Sequence, residues 1–488
     1  MTDVVTPRDD VPPAVPSLGR KMRTGVLWTA TTRFAAQGLQ FASSIALARL
    51  LLPEDFGLVA LVIATTGFAG IFVELGLGAA VVQRPELDDA LLTTAFWLNA
   101  VLGVVMALTI TLTAPLLAVF YGAPELTYLL PTASLVFVVS LGVVQTGLLR
   151  RELDFRRLGV VSVVNTAVTA LVSISAAASG IGPMALVLGT LAGTIASTVQ
   201  LWVYLPWRPR GRPSRESATD LWRFSRGLLG FSTVNYWSRN ADNLLVGKFL
   251  GVTALGFYGR AYNLMMMPVT QMSAVLSTVL FPALSKLQRD QKRFGQGWLV
   301  STKASWLLGA PLGVGVAVTA PALVEVLYGE RWLPMAPVLA LLSASVPAQL
   351  LGSNTGPVFQ ALGRTGLQFK LGLVTSSLTV LAIVVALPHG IVAVAFALAV
   401  KSWVLVWVPL LPALRLAGVR LSTLGRSLAF TAMSTGLMAI AAWSPRWFMG
   451  DASPVAVLLT QVTLGALVFC GLIVIGERPY LRTLRGRR

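Results

Sequence analysis

Histidine and cysteine are almost absent from this chain. Among 488 residues there is one cysteine, Cys470, and one histidine, His389. A lone cysteine in an apolar run excludes a disulfide framework and a cysteine-based metal centre. A lone histidine excludes His-clustered metal sites and makes His-dependent catalysis a poor fit; a solvated loop position is the simpler reading of His389. Charge is scarce as well, at 12% of residues, and acids are scarcer than bases, 20 against 38. No phosphate-cradling Walker loop is present, so ATP does not drive this chain directly. No cofactor or metal is expected.

What the chain has in abundance is apolar surface. Hydrophobic residues make up 55% of it, and apolar runs of about twenty residues recur, each long enough to cross a core of roughly 30 Å as a helix. The pattern predicts an all-α polytopic membrane protein with about fourteen transmembrane helices. The net charge of +18 raises the question of nucleic acid. No nucleic-acid motif accompanies it, and basic residues on cytoplasmic loops are the ordinary topology signal of membrane proteins. With the N-terminus inside, Arg150, Arg151, Arg156, Arg157, the Arg208–Arg226 cluster, Lys286 to Lys303, Arg364, Lys370, Arg415, Arg420, Arg426 and the C-terminal tail all fall on inner loops. Arg49, Lys248, Arg331 and Arg446 fall outside. Both termini are therefore expected in the cytoplasm.

A repeat organises the spans. SSIALARLLLPEDFGLVAL (Ser43–Leu61) aligns without gaps on DNLLVGKFLGVTALGFYGR (Asp242–Arg260), setting Arg49 on Lys248 and Gly57 on Gly256. Both copies start inside, which predicts a parallel repeat of two six-helix lobes around a central cavity, plus two C-terminal helices. The expected divisions are a cytoplasmic tail (1–23) without the apolar core of a signal peptide, an N-lobe of helices 1–6 (24–206), and a basic linker (207–224). A C-lobe of helices 7–12 (225–414), a loop with helices 13–14 (415–476) and a basic tail (477–488) follow. The polar segment SKLQRDQKRFGQG (Ser285–Gly297) is expected as a short interfacial helix. Trp28, Trp97, Trp202 and Trp332 are expected in the interfacial aromatic belt.

Charges inside the bilayer are costly unless they face a cavity, a partner or water. Arg33, Arg239, Arg260 and Lys401 lie within predicted spans, as do Glu74 and Asp242. Arg239 and Asp242 stand three residues apart on one helix face, so mutual neutralisation competes there with a substrate role; Glu74 is expected to pair with Arg33.

The motifs ARLLLPEDFGLVAL, ELGLGAAVVQR, RRELDFRRL, DNLLVGKFLGVTALGFYGRAYNL and VLFPALSKLQ resemble the polysaccharide transporter (oligosaccharide flippase) family. It belongs to the multidrug/oligosaccharidyl-lipid/polysaccharide exporter superfamily, and the likeness is to its colanic acid and teichuronic acid exporter-like branch. The resemblance covers essentially the whole chain. It implies a flippase of the bacterial plasma membrane that moves undecaprenyl-diphosphate-linked oligosaccharide by alternating access, for exopolysaccharide or cell-wall polysaccharide synthesis. Polysaccharide-assembly proteins are the further partners it suggests. The family is similar to lipid II flippases, whose basic residues on helices 1 and 8 line the cavity; Arg33 and Arg260 stand at comparable places.

Under that reading Arg33, Arg239, Arg260 and Lys401 meet the diphosphate, since guanidinium forks match phosphate oxygens. Asn235 and Asn263 hydrogen-bond the sugars, and interhelical bonding is the alternative use of such side chains. Glu74 and Asp242 are the candidates for a coupling H+ or Na+. The alternatives are a lipid II-type flippase, a multidrug–cation antiporter, which would want an acidic cavity, and a membrane glycan polymerase or ligase, which would need catalytic groups on large outer loops.

Overall fold

A computed structural model of the chain describes residues 18–74, 76–83, 87–450 and 452–477. The expected N-terminal tail before residue 18 and the basic tail after residue 477 lie outside the described residues. Among the described residues every regular element is helical. The first eight are α1 (Leu18–Leu50), α2 (Pro53–Glu74), α3 (Leu77–Gln83), α4 (Asp89–Tyr121), α5 (Leu126–Val139), α6 (Val143–Arg151), α7 (Phe155–Ala178) and α8 (Met184–Tyr204). Next come α9 (Arg215–Leu250), α10 (Val252–Leu287), α11 (Gln291–Tyr328), α12 (Ala336–Ala344), α13 (Val346–Ser353), α14 (Gly356–Ala361) and α15 (Thr365–Ala386). The last are α16 (Ile391–Leu405), α17 (Trp407–Ala417), α18 (Leu421–Trp443), α19 (Pro445–Phe448) and α20 (Pro454–Gly476).

Among the described residues ten helical stretches are long and apolar enough to cross a bilayer, or eleven if α5 and α6, bent by 48° at their junction, count as one span. Helices α1, α9 and α10, of 33, 36 and 36 residues, exceed the roughly 20 that a crossing needs. The set is compatible with the expected fourteen. The chain is an all-α, multi-pass membrane protein.

Two compact units divide it. Unit 1 takes residues up to Leu50, Thr65–Leu117 and Glu125–Asn235; unit 2 takes Leu51–Ala64, Ala118–Pro124 and the chain from Tyr236 onward. In unit 1, α7 and α8 pack through small residues. A Cβ at Gly189 would lie 1.8 Å from Ser173 Oγ, and one at Gly193 would lie 2.1 Å from Thr169 Oγ1. Such spacing lets membrane helices approach closely, and Asn165 Nδ2 donates to Ser197 Oγ across the seam at 3.3 Å. Leu77, Val81, Leu91, Phe96, Val144 and Leu221 form the buried cluster beside it.

In unit 2 the chain between α11 and α15 is broken rather than continuous: a 3-10 turn (Glu330–Met335) precedes α12, α13 and α14, with Pro347 opening α13 and Pro357 opening α14. Broken backbone is tolerated at membrane depth only where its polar groups find partners. Here α11 supplies them. The Trp306 indole donates to Pro347 O at 2.9 Å and the Trp298 indole to Asn354 O at 2.9 Å, while Asn354 Nδ2 donates to Ser305 Oγ at 3.0 Å.

The glycines that the repeat aligns also meet in unit 2. A Cβ on Gly57 would lie 1.8 Å from Val252 O, and one on Gly256 would lie 1.8 Å from Pro53 O. Pro53 and Val252 are themselves an aligned pair, so the first turns of α2 and α10 cross reciprocally, each glycine under the other helix's first carbonyl.

Two expectations need correction. Ser285–Gly297 is no separate interfacial helix: α10 runs through to Leu287 and α11 starts at Gln291. Asp290 makes that turn by capping α11, its carboxylate accepting from Arg293 N at 3.1 Å. Trp332 is no belt residue; it is 1% exposed and packs against Phe56, Tyr328 and Phe257 with ring centroids 5.3, 5.7 and 5.9 Å apart. An indole next to a helix end reads as interfacial until the broken segment folds it inward.

Candidate functional site

Unit 2 encloses a polar cavity of about 320 Å³. Helical spacing explains its walls. Arg239 and Asp242 are three apart on α9; Tyr262 and Met265 share a face of α10; Thr375, Ser376 and Thr379 share one of α15; and Lys401 and Ser402 come from the middle of α16. Ser345, between α12 and α13, and Gln349 on α13 complete the polar part, with Gln349 Nε2 donating to Ser345 Oγ at 2.9 Å. Each hydroxyl or amide interrupts an apolar helix, and together they make a hydrogen-bonding surface within it.

The electrostatics of this cavity rest on three charged groups. Asp242 is buried, and the Tyr258 hydroxyl donates to its Oδ2 at 2.7 Å while Asn243 N donates to Oδ1 at 2.9 Å. Tyr258 is completely buried and stacks on Tyr262 at 6.1 Å. Thus Asp242 is held by a phenol and a backbone amide, and not by Arg239: among the described residues no ion pair within 4 Å joins the two. Arg239 and Lys401 likewise form neither hydrogen bond nor ion pair there. Two cations and one hydrogen-bonded carboxylate therefore share one small polar space, with a net positive balance.

A second polar cavity, of about 370 Å³, lies in unit 1 between α1 and α7. Among the described residues Arg33 is its one charged lining residue, accompanied by Thr29, Thr32, Gln37, Gln40, Ser162 and Thr166. Gly159 sets the spacing, since a Cβ there would lie 2.5 Å from Thr32 Oγ1.

The remaining expected site residues lie elsewhere. Arg260 stands over the Phe56 ring, its guanidinium carbon 3.6 Å from the centroid, and lines neither cavity. Glu74 ends α2 in an exposed position, and among the described residues no ion pair joins it to Arg33. Asn235 and Asn263 are exposed and line neither cavity. Tyr258, Gln349, Ser402 and the α15 hydroxyls were not singled out from sequence. Thr375, Ser376 and Thr379 left the clearest signal, three of the four hydroxyls that interrupt the apolar part of α15 between Thr375 and Thr379.

A model of the family described as "Polysaccharide biosynthesis protein" matches residues 46–337. The chain belongs to that family. This polysaccharide biosynthesis family member is 28% identical, over 76% of its length and 76% of the relative's, to the lipopolysaccharide biosynthesis protein WzxC of Escherichia coli (strain K12). It is 27% identical, over 96% of both chains, to the succinoglycan biosynthesis transport protein ExoT of Rhizobium meliloti (strain 1021). Its fold is similar to that of the lipid II flippase MurJ in an inward closed conformation, with a TM-score of 0.76 and 14% identity, covering 93% of this chain and 100% of that one.

Proposed function

We propose that this family member is a flippase for lipid-diphosphate-linked oligosaccharide in the bacterial plasma membrane, working by alternating access with both termini in the cytoplasm. The unit 2 cavity carries the proposal. Two cations suit a diphosphate, whose compact negative charge calls for more than one partner. The surrounding hydroxyls and amides suit a carbohydrate, which offers donors and acceptors in equal measure. The WzxC and ExoT relatives, named for polysaccharide synthesis and transport, point the same way. The reciprocal crossing of Gly57 and Gly256 supports a parallel pair of repeats with related roles.

Within that reading Arg239 and Lys401 take the diphosphate and Asp242 is the carboxylate assigned to a coupling proton or sodium ion. Glu74, exposed at a helix end, is the weaker coupling candidate. Arg260 is assigned to packing over Phe56, and Arg33 to an accessory polar contact. A drug–cation antiporter fits less well, because the balance of charge in the cavity is positive.

The test is reconstitution into vesicles with a polyprenyl-diphosphate oligosaccharide bearing a fluorophore on the glycan. Loss of quenching access from one leaflet, dependent on the protein, is expected. An unchanged leaflet distribution together with longer glycan products would replace the flippase with a polymerase.

A further inference from the structure

Beyond the transport path, unit 1 carries a groove of about 440 Å³ on the last turns of α8, walled by Leu141, Val199, Trp202, Val203 and Pro206 and ending at Arg208. Val199 and Val203 are 58% and 74% exposed, as residues facing lipid are. Among the described residues no carboxylate lines the groove. The guanidinium at its end is held in place. It lies over the Trp202 ring at 4.8 Å, and its Nη1 donates to Trp207 O at 3.0 Å, Leu205 O at 3.3 Å and Trp202 O at 3.4 Å. Those carbonyls include ones that the end of α8 leaves without helical partners. One edge of Arg208 is thus spent on capping, whereas Nε and Nη2 keep no partner among the described residues.

The chain beyond the groove is also pinned: Thr93 Oγ1 donates to Arg210 O at 3.0 Å, and Ser214 N donates to Thr94 Oγ1 at 2.9 Å. Arg210 and Arg212 follow on this anchored strand of chain, exposed. Fixing a guanidinium before a ligand arrives removes much of the ordering cost of binding.

We infer that this groove binds an anionic phospholipid, one acyl chain along the valines and Trp202 and the phosphate on the free edge of Arg208. A net-negative headgroup is favoured over a zwitterionic one because Arg208, Arg210 and Arg212 supply positive charge and no acid among the described residues of the groove could receive a choline or ethanolamine. A single fork matches a single phosphodiester, whereas a diphosphate calls for several cations, which the unit 2 cavity offers instead. The inference uses the proposed topology, which sets this end of α8 at the cytoplasmic leaflet.

Native mass spectrometry of the full chain in detergent, titrated with phosphatidylglycerol or phosphatidylcholine, tests it without any transport readout, so it can fail or succeed independently of the flippase assignment. Phosphatidylglycerol is expected to bind about tenfold more tightly than phosphatidylcholine, a difference of ~1.4 kcal/mol. Arg208→Ala should erase that preference, and Arg208→Lys should retain part of it, since lysine keeps the charge and loses the fork. Thr198→Trp, which fills the groove and leaves Arg208 in place, should weaken phosphatidylglycerol binding in a protein that remains folded. A purely structural cap predicts that Arg208→Ala lowers thermal stability and leaves lipid preference intact; that result overturns the inference. So does equal binding of the two phospholipids, or displacement of phosphatidylglycerol from this groove by farnesyl diphosphate at lower concentration.

Discussion

The two polar cavities are of similar size and opposite design. That of unit 1 has a single guanidinium, Arg33, among neutral side chains, on an exposed stretch of α1. That of unit 2 combines Arg239 and Lys401 with a buried carboxylate that has its own hydrogen bonds. An exposed lone charge is well solvated, so placing it there costs little and binding to it is worth little. Arg239 is exposed as well, but it lines one small cavity together with the half-buried Lys401, neither with a hydrogen-bond or ion-pair partner among the described residues, so an anion that enters gains from both. On that difference rests the proposal that the stronger anion site lies in unit 2.

Removing both cations is the severest test of that contrast. Arg239→Ala with Lys401→Ala should lower flipping of the labelled lipid-linked oligosaccharide on the order of a hundredfold, if each group contributes roughly 1.5–3 kcal/mol and the two are not fully additive. A tenfold or smaller loss would place the diphosphate elsewhere.

Lys401→Ala alone should cost about tenfold, and it separates two roles. If Lys401 serves the substrate, adding Asp242→Asn will not restore transport. If Lys401 serves mainly to balance Asp242, the double variant will recover both stability and transport. Arg239→Lys, which keeps the charge, should retain more activity than Arg239→Ala.

The carboxylate has its own test. Tyr258→Phe removes the phenol that donates to Asp242 and leaves a buried carboxylate oxygen short of a partner, which should lower stability by about 1–3 kcal/mol. Thermal unfolding in detergent measures it. Asp242→Asn in the Tyr258→Phe background should recover part of the loss, and no recovery would mean that Tyr258 acts through packing alone.

Much of this architecture was legible before any coordinates. Apolar periodicity marks the spans because the bilayer demands about twenty residues of satisfied backbone. Pro347 and Pro357 open α13 and α14 in the broken segment, and proline withholds a backbone donor wherever it stands. The alignment of Gly57 with Gly256 picked out residues that close helix crossing requires. The site was less legible. Arg239 and Asp242 were visible as intramembrane charges, but their i, i+3 spacing suggested a pair, and only the fold brings Tyr258 of α10 to the carboxylate instead. Nor does the sequence around Arg260 give any sign that its guanidinium would stand over Phe56, some two hundred positions earlier in the chain. Contacts between distant segments leave no periodicity in either one.

The smallest expected effect belongs to Arg33, and it is the sharpest test of the contrast. Arg33 is exposed and faces neutral hydrogen-bonding groups, so its contribution to holding an anion should fall in the range of exposed ion pairs, about 0.2–1 kcal/mol. Arg33→Ala should therefore lower flipping by no more than about fivefold, and raised ionic strength should shrink the difference between the variant and the parent. Gln37→Ala, which removes a neutral neighbour, should have a comparable effect if the pocket contributes hydrogen bonds to glycan more than charge to phosphate. Stability should be unaffected in Arg33→Ala, because no ion pair to Arg33 exists among the described residues to be broken. If Arg33→Ala instead matches the loss in Lys401→Ala and resists salt, then Arg33 is desolvated during transport and its pocket is part of the anion path. The two cavities would then be successive stations for one headgroup rather than a strong site and a weak one.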